Sequence, residues 1–214
     1  MTISNVGTLQ TAVESWVERT LTDSLFLEFC TNVTDRLERG GKTPDGRAWV
    51  SQPIRIRSML YTTTMNSSTG EITDWLEFSR VAIEDGENDR ELKFVTPLEF
   101  SSSPLAVVND KPLIYTIDGT TFRAAPTQAT TLAVTYYQRL SPLTADASTN
   151  AVLTNHPRVY LHGCIAETCE WLADYERADR EWAKFGAAVA GLNAEFKQAQ
   201  TRGAIMRARP RAVV

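Results

Sequence analysis

Histidine, cysteine and long apolar runs are scarce in this chain, and each shortage removes a class of function. Only two histidines occur, His156 and His162, and only three cysteines, Cys30, Cys164 and Cys169. No Cys-x-x-Cys pair exists, and the spacings of two and five residues from His162 to Cys164 to Cys169 do not put three ligands on one helix face. A metal site is therefore not expected, and nothing points to another cofactor. No serine stands in a Gly-x-Ser-x-Gly elbow and no glycine-rich phosphate loop is present. The acidic run Glu84-Asp85-Gly86-Glu87-Asn88-Asp89 lacks the alternating ligands and closing Glu of a calcium loop, so it reads as a solvated turn. Glu167 and Glu170 fall beside a core stripe and read as helix surface. The expectation is a chain that is not an enzyme. The odd cysteine count, with all three on helical stripes, fits buried thiols in a reducing compartment. No apolar run approaches the roughly 18 residues of a membrane span, so no membrane partner is expected. Met1-Thr2-Ile3-Ser4 lacks the basic start and apolar core of a secretory signal.

What the chain does contain is two kinds of pattern. Of its 214 residues 43% are hydrophobic, enough for a substantial core in one large domain or a core with an insertion. The stretch from Pro157 to Gln200 dominates. Its second half carries Ala178, Trp182, Phe185, Val189, Leu192, Phe196 and Ala199 at alternating spacings of four and three, an apolar helical seam. Its first half, from a cap at Asn155 and Pro157 at the first helical position, carries Leu161, Cys164, Ile165, Thr168, Trp171, Leu172 and Tyr175 on one stripe. The join at Asp174–Ala178 fits either a tight helical hairpin or a bend, and its shortness favours antiparallel packing of the two helices. Gly186 and Gly191 interrupt the second helix at about 1 kcal/mol each. Either that cost is tolerated, or another backbone comes close there in a helix–helix contact.

The N-terminal end is helical too. Asn5 caps a helix bearing Leu9, Ala12, Val13, Trp16 and Val17; a second, starting at Asp23 or Ser24, bears Leu25, Phe29, Cys30, Val33 and Leu37 and ends at Gly40-Gly41. Four helices from both ends are expected to share one core, with Trp16, Phe29, Trp171, Trp182 and Phe185 buried in it. Between Lys42 and Leu140 the period changes to two. Ile54-Arg55-Ile56-Arg57 and Trp75–Ile83 are strand candidates, and Asp118-Gly119 between β-rich runs predicts a two-residue hairpin turn. Leu132, Val134 and Tyr136 alternate on a next strand that would extend the hairpin to a meander. Met65–Gly70 and Ser101–Pro104 read as loops. The fold class is α+β: a helical bundle over residues 1–41 and 146–200, an inserted antiparallel β domain over 42–145, and an extended arm over 201–214. The arm holds four arginines and no acid, so the net charge of −4 leaves −8 for the rest.

The blocks Asp74–Glu77, Leu92–Phe100, Pro112–Phe122, Val134–Leu143, Thr149–Leu153 and Pro157–Leu161 resemble successive segments of the phage head-to-tail adaptor (connector) family, which includes the tubular tail proteins of short-tailed phages. Arg158 departs from that pattern, standing where an acidic first-turn residue is expected. The resemblance implies a structural virion protein at the head–tail junction, assembled in the host cytoplasm. It implies a homomeric ring, dodecameric, that joins the portal protein to a tail or nozzle protein and extends the channel for DNA ejection. Double-stranded DNA would pass non-specifically, which an acidic wall favours. It also implies that the arm docks on the portal, through Arg202, Ile205, Met206, Arg207, Arg209 and Arg211. Two rival readings are a nucleic-acid-binding module using the arginine tail, which the acidic body and pI of 5.3 oppose, and a carbohydrate-binding or enzymatic β domain on a helical stalk, using Trp49 or Trp75.

Overall fold

In a computed structural model the described residues are 2–42, 49–84, 90–104, 111–127 and 130–201. Helices α1 (Val6–Val17) and α2 (Asp23–Arg39) open the chain. A ribbon follows, of β1 (Gly41–Lys42) and β2 (Trp49–Ser51), then β3 (Leu60–Met65), β4 (Thr69–Glu71), β5 (Trp75–Ile83), β6 (Arg90–Glu91) and β7 (Lys93–Phe94). After α3 (Pro97–Ser102) come β8 (Ile114–Asp118), β9 (Thr121–Ala125) and β10 (Leu132–Gln138). Helices α4 (Ala151–Asn155), α5 (Pro157–Trp171) and α6 (Tyr175–Thr201) close it. The fold is α+β, with N- and C-terminal helices flanking a β region. Two compact units result, residues 1–57 with 140–214, and residues 58–139.

In the helical unit, α1 begins with a reciprocal cap: Thr8 N–H donates to Asn5 Oδ1 at 2.9 Å while Asn5 N–H donates to Thr8 Oγ1 at 3.1 Å. Helix α5 is the centre, packing against α1, α2, α4 and α6. Its residues Gly163 through Cys169 are all buried, so it is enclosed all round where a single stripe was expected. Enclosure needs small residues. A Cβ on Gly163 would lie 2.8 Å from Val33 Cγ1 and 3.3 Å from Phe185 Cδ2, so α2 and α6 both press on that position. Phe29, Trp182 and Phe185 are buried as expected, but Trp16 and Trp171 are 51% and 57% exposed. Both stand in the last turn of their helices. Asn155 is also not the cap of α5. It ends α4, whose cap is Asn150 Oδ1 accepting from Leu153 N–H, and His156 then precedes Pro157 at the first turn of α5. Ala173 in the left-handed region (φ 60°) reverses the chain between α5 and α6.

Ile54–Arg57 is not a strand. Ile54 is fully buried, its N–H donates to Leu37 O at 2.8 Å, and Arg55 N–H donates to Asn193 Oδ1. Those bonds hold the segment to the helical unit, so its apolar alternation marks residues facing helices. Nearby, the buried Glu38 carboxylate accepts Leu140 N–H at 2.8 Å. The end of α2 therefore grips the chain both just before the β region begins and just after it ends.

The β unit is a two-sheet sandwich. One sheet has order β3-β10-β5-β6 and the other β4-β9-β8-β7, antiparallel except for β7 against β8. A single apolar cluster takes Val81, Ile83, Leu132, Val134 and Tyr136 from the first sheet and Tyr115, Phe122 and Ala124 from the second. Phe78 lies 5.2–6.3 Å, ring to ring, from Trp75, Tyr115, Phe122 and Tyr136, distances at which aromatic pairs attract. The expected meander does not form: β10 alternates as predicted but pairs with β3 and β5, because its buried face is needed opposite β8 and β9. The hairpin turn is shifted by one residue. Asp118 pairs with Thr121, so the two loop residues are Gly119 (φ 62°) and Thr120, the pattern of a type II′ turn with positive φ at the first position alone. Ser101 and Ser102, read as loop, belong to α3, which the Thr96–Glu99 capping box starts.

Gly163→Ala is expected to destabilise the chain by about 1–3 kcal/mol through overpacking, although alanine is the better helix former. Adding Val33→Ala should recover part of that loss, as read from chemical denaturation midpoints. Gly119→Val places a β-branched residue at positive φ and should lower amide-exchange protection across β8 and β9.

Candidate interaction surfaces of the helical unit

The second and third long helices of the unit are locked by polar bonds before any surface is presented. Glu181, 4% exposed on α6, accepts from His162 Nδ1 at 2.8 Å and from Lys184 Nζ at 2.6 Å. Trp182 Nε1 donates to Glu170 at 2.6 Å, while the Arg36 guanidinium stacks 4.0 Å over the Trp182 ring and its Nε lies 3.2 Å from Glu167. Asn32 donates to the other Glu167 oxygen at 3.1 Å. Val159 lies by Ala188 and Leu192, Gly163 by Phe185 and Glu170 by Trp182, so α5 and α6 run antiparallel. Burial opposes ionisation of Glu181, but the bonds from Lys184 and His162 outweigh it and hold its pKa below the ordinary carboxylate value. At Glu167 burial wins over Asn32 and Arg36, and the pKa is raised. Glu167 is thus part of the helix packing, while Glu170 stays on the exposed helix surface, as expected, and accepts the Trp182 bond there.

The cysteines and histidines that sequence grouped together are dispersed. Cys164 Sγ faces Cys30 Sγ at 3.9 Å in the core, burial pushing its thiol pKa up, while His162 turns to Glu181. Trp75 has its indole N–H donated to Gly119 O at 3.1 Å and its ring against Phe78. The side chain of Trp49 and residues 85–89 of the acidic run fall outside the described residues. So do the arm residues Arg202, Ile205, Met206, Arg207, Arg209 and Arg211.

Gly186 is half-buried on α6, and Gly191 is exposed, with no atom within 4 Å of the place a Cβ would take. Among the described residues no helix presses on Gly191, and a close helix approach within the unit is found at Gly163, which the sequence reading passed over. Gly191 instead floors a groove of about 340 Å³ between α6 and the α4–α5 turn, lined also by Pro157, Arg158, Val159, Ala188, Leu192 and Glu195. Arg158 at the mouth is exposed and makes no ion pair among the described residues. A cation in the first turn opposes the helix dipole by roughly 0.3–1 kcal/mol, so this position is not chosen for helix stability.

At the opposite end of α6 stands an aromatic cluster. Arg177 donates to Trp16 O at 2.6 Å, bringing the end of α1 beside the α5–α6 turn, where Trp171 and Tyr175 are 57% and 66% exposed. The cluster and the groove were invisible to periodicity, because each is assembled from residues of different helices.

Residues 4–213 match the sequence profile of the SU10 adaptor protein. The chain belongs to the SU10 adaptor protein family. None of the curated proteins matches it. The match spans both helical ends and the β region between them, in keeping with the resemblance to phage head-to-tail adaptors read from the sequence blocks. The SU10 adaptor assignment makes the chain a phage structural protein, a virion component that interacts with other head or tail components, and families of this kind are typically non-enzymatic. Among the described residues no helix is long and apolar enough to cross a membrane.

The Glu181 bonds give a pH dependence whose sign follows from the lowered pKa. Their contribution is present above the ordinary carboxylate value of 4.5 and is lost as pH falls through the lower folded value. Glu181→Gln should cost roughly 1.5–3 kcal/mol at pH 7, and its denaturation midpoint should approach that of the wild type as the pH is lowered below about 4.5.

Proposed function

We propose that this SU10-family chain forms a homomeric ring, dodecameric in the fully assembled particle, that joins the portal vertex to the tail or nozzle protein and extends the DNA channel. The family match over residues 4–213 carries the reading. The helical unit supports it. Its longest element, α6, has 27 residues, about 40 Å of rod at 1.5 Å per residue, and is braced on α5 by buried polar bonds. A rod of that kind holds its shape while a ring assembles around it. The charge outside the arm is acidic, which lets a DNA duplex pass without the phosphate contacts that would retain it. Assembly takes place in the host cytoplasm, on a filled head.

The arm from Thr201 is the portal-docking element of this reading. Gly203 and Pro210 are the residues of the arm least suited to continuing a helix. Arg202, Arg207, Arg209 and Arg211 pair with carboxylates of the portal, and Ile205 and Met206 give apolar anchors between them. The family match extends through this segment.

Deleting Ala204 to Val214 tests the docking. The truncated chain should keep the wild-type denaturation midpoint and lose affinity for purified portal by more than about a hundredfold, since each charge-assisted pair is worth roughly 1.5–3 kcal/mol. Wild-type binding should weaken with added salt. Binding of the truncated chain at wild-type affinity would overturn the arm's role.

A further inference from the structure

We infer that Cys30 and Cys164 form a redox latch: they face each other as thiols in the reduced chain, and a peroxide joins them in a disulfide that ties α2 to α5. Only its timing rests on the virion reading above, in which the chain folds in the host cytoplasm and then leaves it. Cys30 Sγ lies 3.9 Å from Cys164 Sγ, and both side chains are fully buried. A disulfide holds its sulfurs about 2.05 Å apart, so a closure of about 2 Å has to be shared between the two side chains. The bond also needs close backbones. Cys164 is the neighbour of Gly163, and Cys30 lies three positions before Val33, whose two methyls would stand 2.8 and 2.9 Å from a Cβ on that glycine. The missing side chain that lets α2 onto α5 therefore does so beside the thiols. A second feature marks the same place on both helices. Thr34 Oγ1 donates to Cys30 O and Thr168 Oγ1 to Cys164 O, each at 2.7 Å. A hydroxyl that bonds the carbonyl four residues back bends its helix slightly, so each helix carries a bending bond at its cysteine.

Closure takes two steps. One cysteine, as thiolate, attacks the O–O bond of hydrogen peroxide and becomes a sulfenic acid, while the departing hydroxide takes up the released proton as water. The second sulfur then attacks the sulfenic sulfur, forming the S–S bond and expelling a second water. Two thiols lose two electrons and two protons, and one peroxide becomes two waters. Burial pushes the Cys164 thiol pKa up, which slows the thiolate step. The latch therefore stays open through folding in a reducing compartment and closes after release, when local opening of the helices admits a small neutral oxidant. The cysteines are 134 positions apart, and the loop they close contains the whole β unit. A loop of that length strongly restrains the unfolded chain, and α2 can no longer part from the C-terminal helices.

Thiol counting tests the latch. The full chain, purified reduced and folded, is exposed to dilute hydrogen peroxide, quenched with catalase, unfolded and labelled with a maleimide. The three free thiols should fall to one, Cys169, with the Cys30 and Cys164 peptides joined on a non-reducing peptide map. The oxidised chain should melt at least about 5 °C above the reduced one, a difference that vanishes in Cys30→Ala and remains in Cys169→Ala. Three labelled thiols in the treated wild type, or sulfinic acid at Cys30 or Cys164 without a joined peptide, would overturn the latch whatever the variants do. Particles unfolded in maleimide at lysis should show three thiols in this chain, and particles kept in medium with peroxide only one. Three in both would overturn the latch as a device of the particle. Absence of the chain from particles would remove the virion reading instead and leave the result on the isolated chain standing.

Discussion

The helical unit depends on the absence of a side chain at Gly163. Helix α5 is enclosed by four other helices, and an enclosed helix can be approached closely only where its residues are small. With Val33 and Phe185 both resting on Gly163, the axes of α2 and α6 are set by that position. The surrounding polar groups then have to find partners inside the unit. Tyr160 does so with Thr34 and Asn150, and Glu181 with His162 and Lys184. These bonds contribute less by their own strength than by the cost of leaving any one of them unmade. The rigidity of α6, and with it the positions of the groove and the aromatic cluster, follows from this central packing.

The β unit solves a different problem. Its strands are short, and each four-stranded sheet carries an apolar face that has to be covered. Phe78 and the buried faces of β8, β9 and β10 close the two sheets over a single aromatic core. Tyr136 shows how closely apolar and polar requirements are met there. Burial and a hydrogen bond to Asp74 raise its phenol to a pKa of about 12, so it remains a neutral donor throughout the physiological range.

Much of this was legible in the sequence because local signals were strong. Asn5, Gly40 and Pro157 mark helix ends by chemistry that acts within one turn, and Trp75–Ile83 is found as the full strand its alternation indicated. What failed needed knowledge of partners. Period-two alternation at Ile54–Arg57 looks the same whether the buried face meets a sheet or helices. The strand at Leu132 is clear, but which strands flank it depends on how two sheets cover one core. Trp16 and Trp171 sit on apolar stripes, and their exposure depends on tertiary packing that the stripe does not encode. For the interaction surfaces, composition pointed to the arginine-rich arm and spacing to Gly191. The groove arises from two segments about thirty positions apart brought together by packing, and Arg158, odd for its helix, was a local sign of it.

The grip of Glu38 on Leu140 also bears on how the chain is made. The helical unit is discontinuous, with α1 and α2 synthesised first and their packing partners last. At roughly 5–20 residues per second, the apolar faces of Phe26, Phe29 and Val33 wait on the order of ten to thirty seconds before α5 and α6 leave the ribosome. The β unit is complete in the interval and can fold while they wait. A nascent chain of this design is most open to aggregation through its N-terminal hairpin, so the speed of translation across the β region sets how long that hazard lasts.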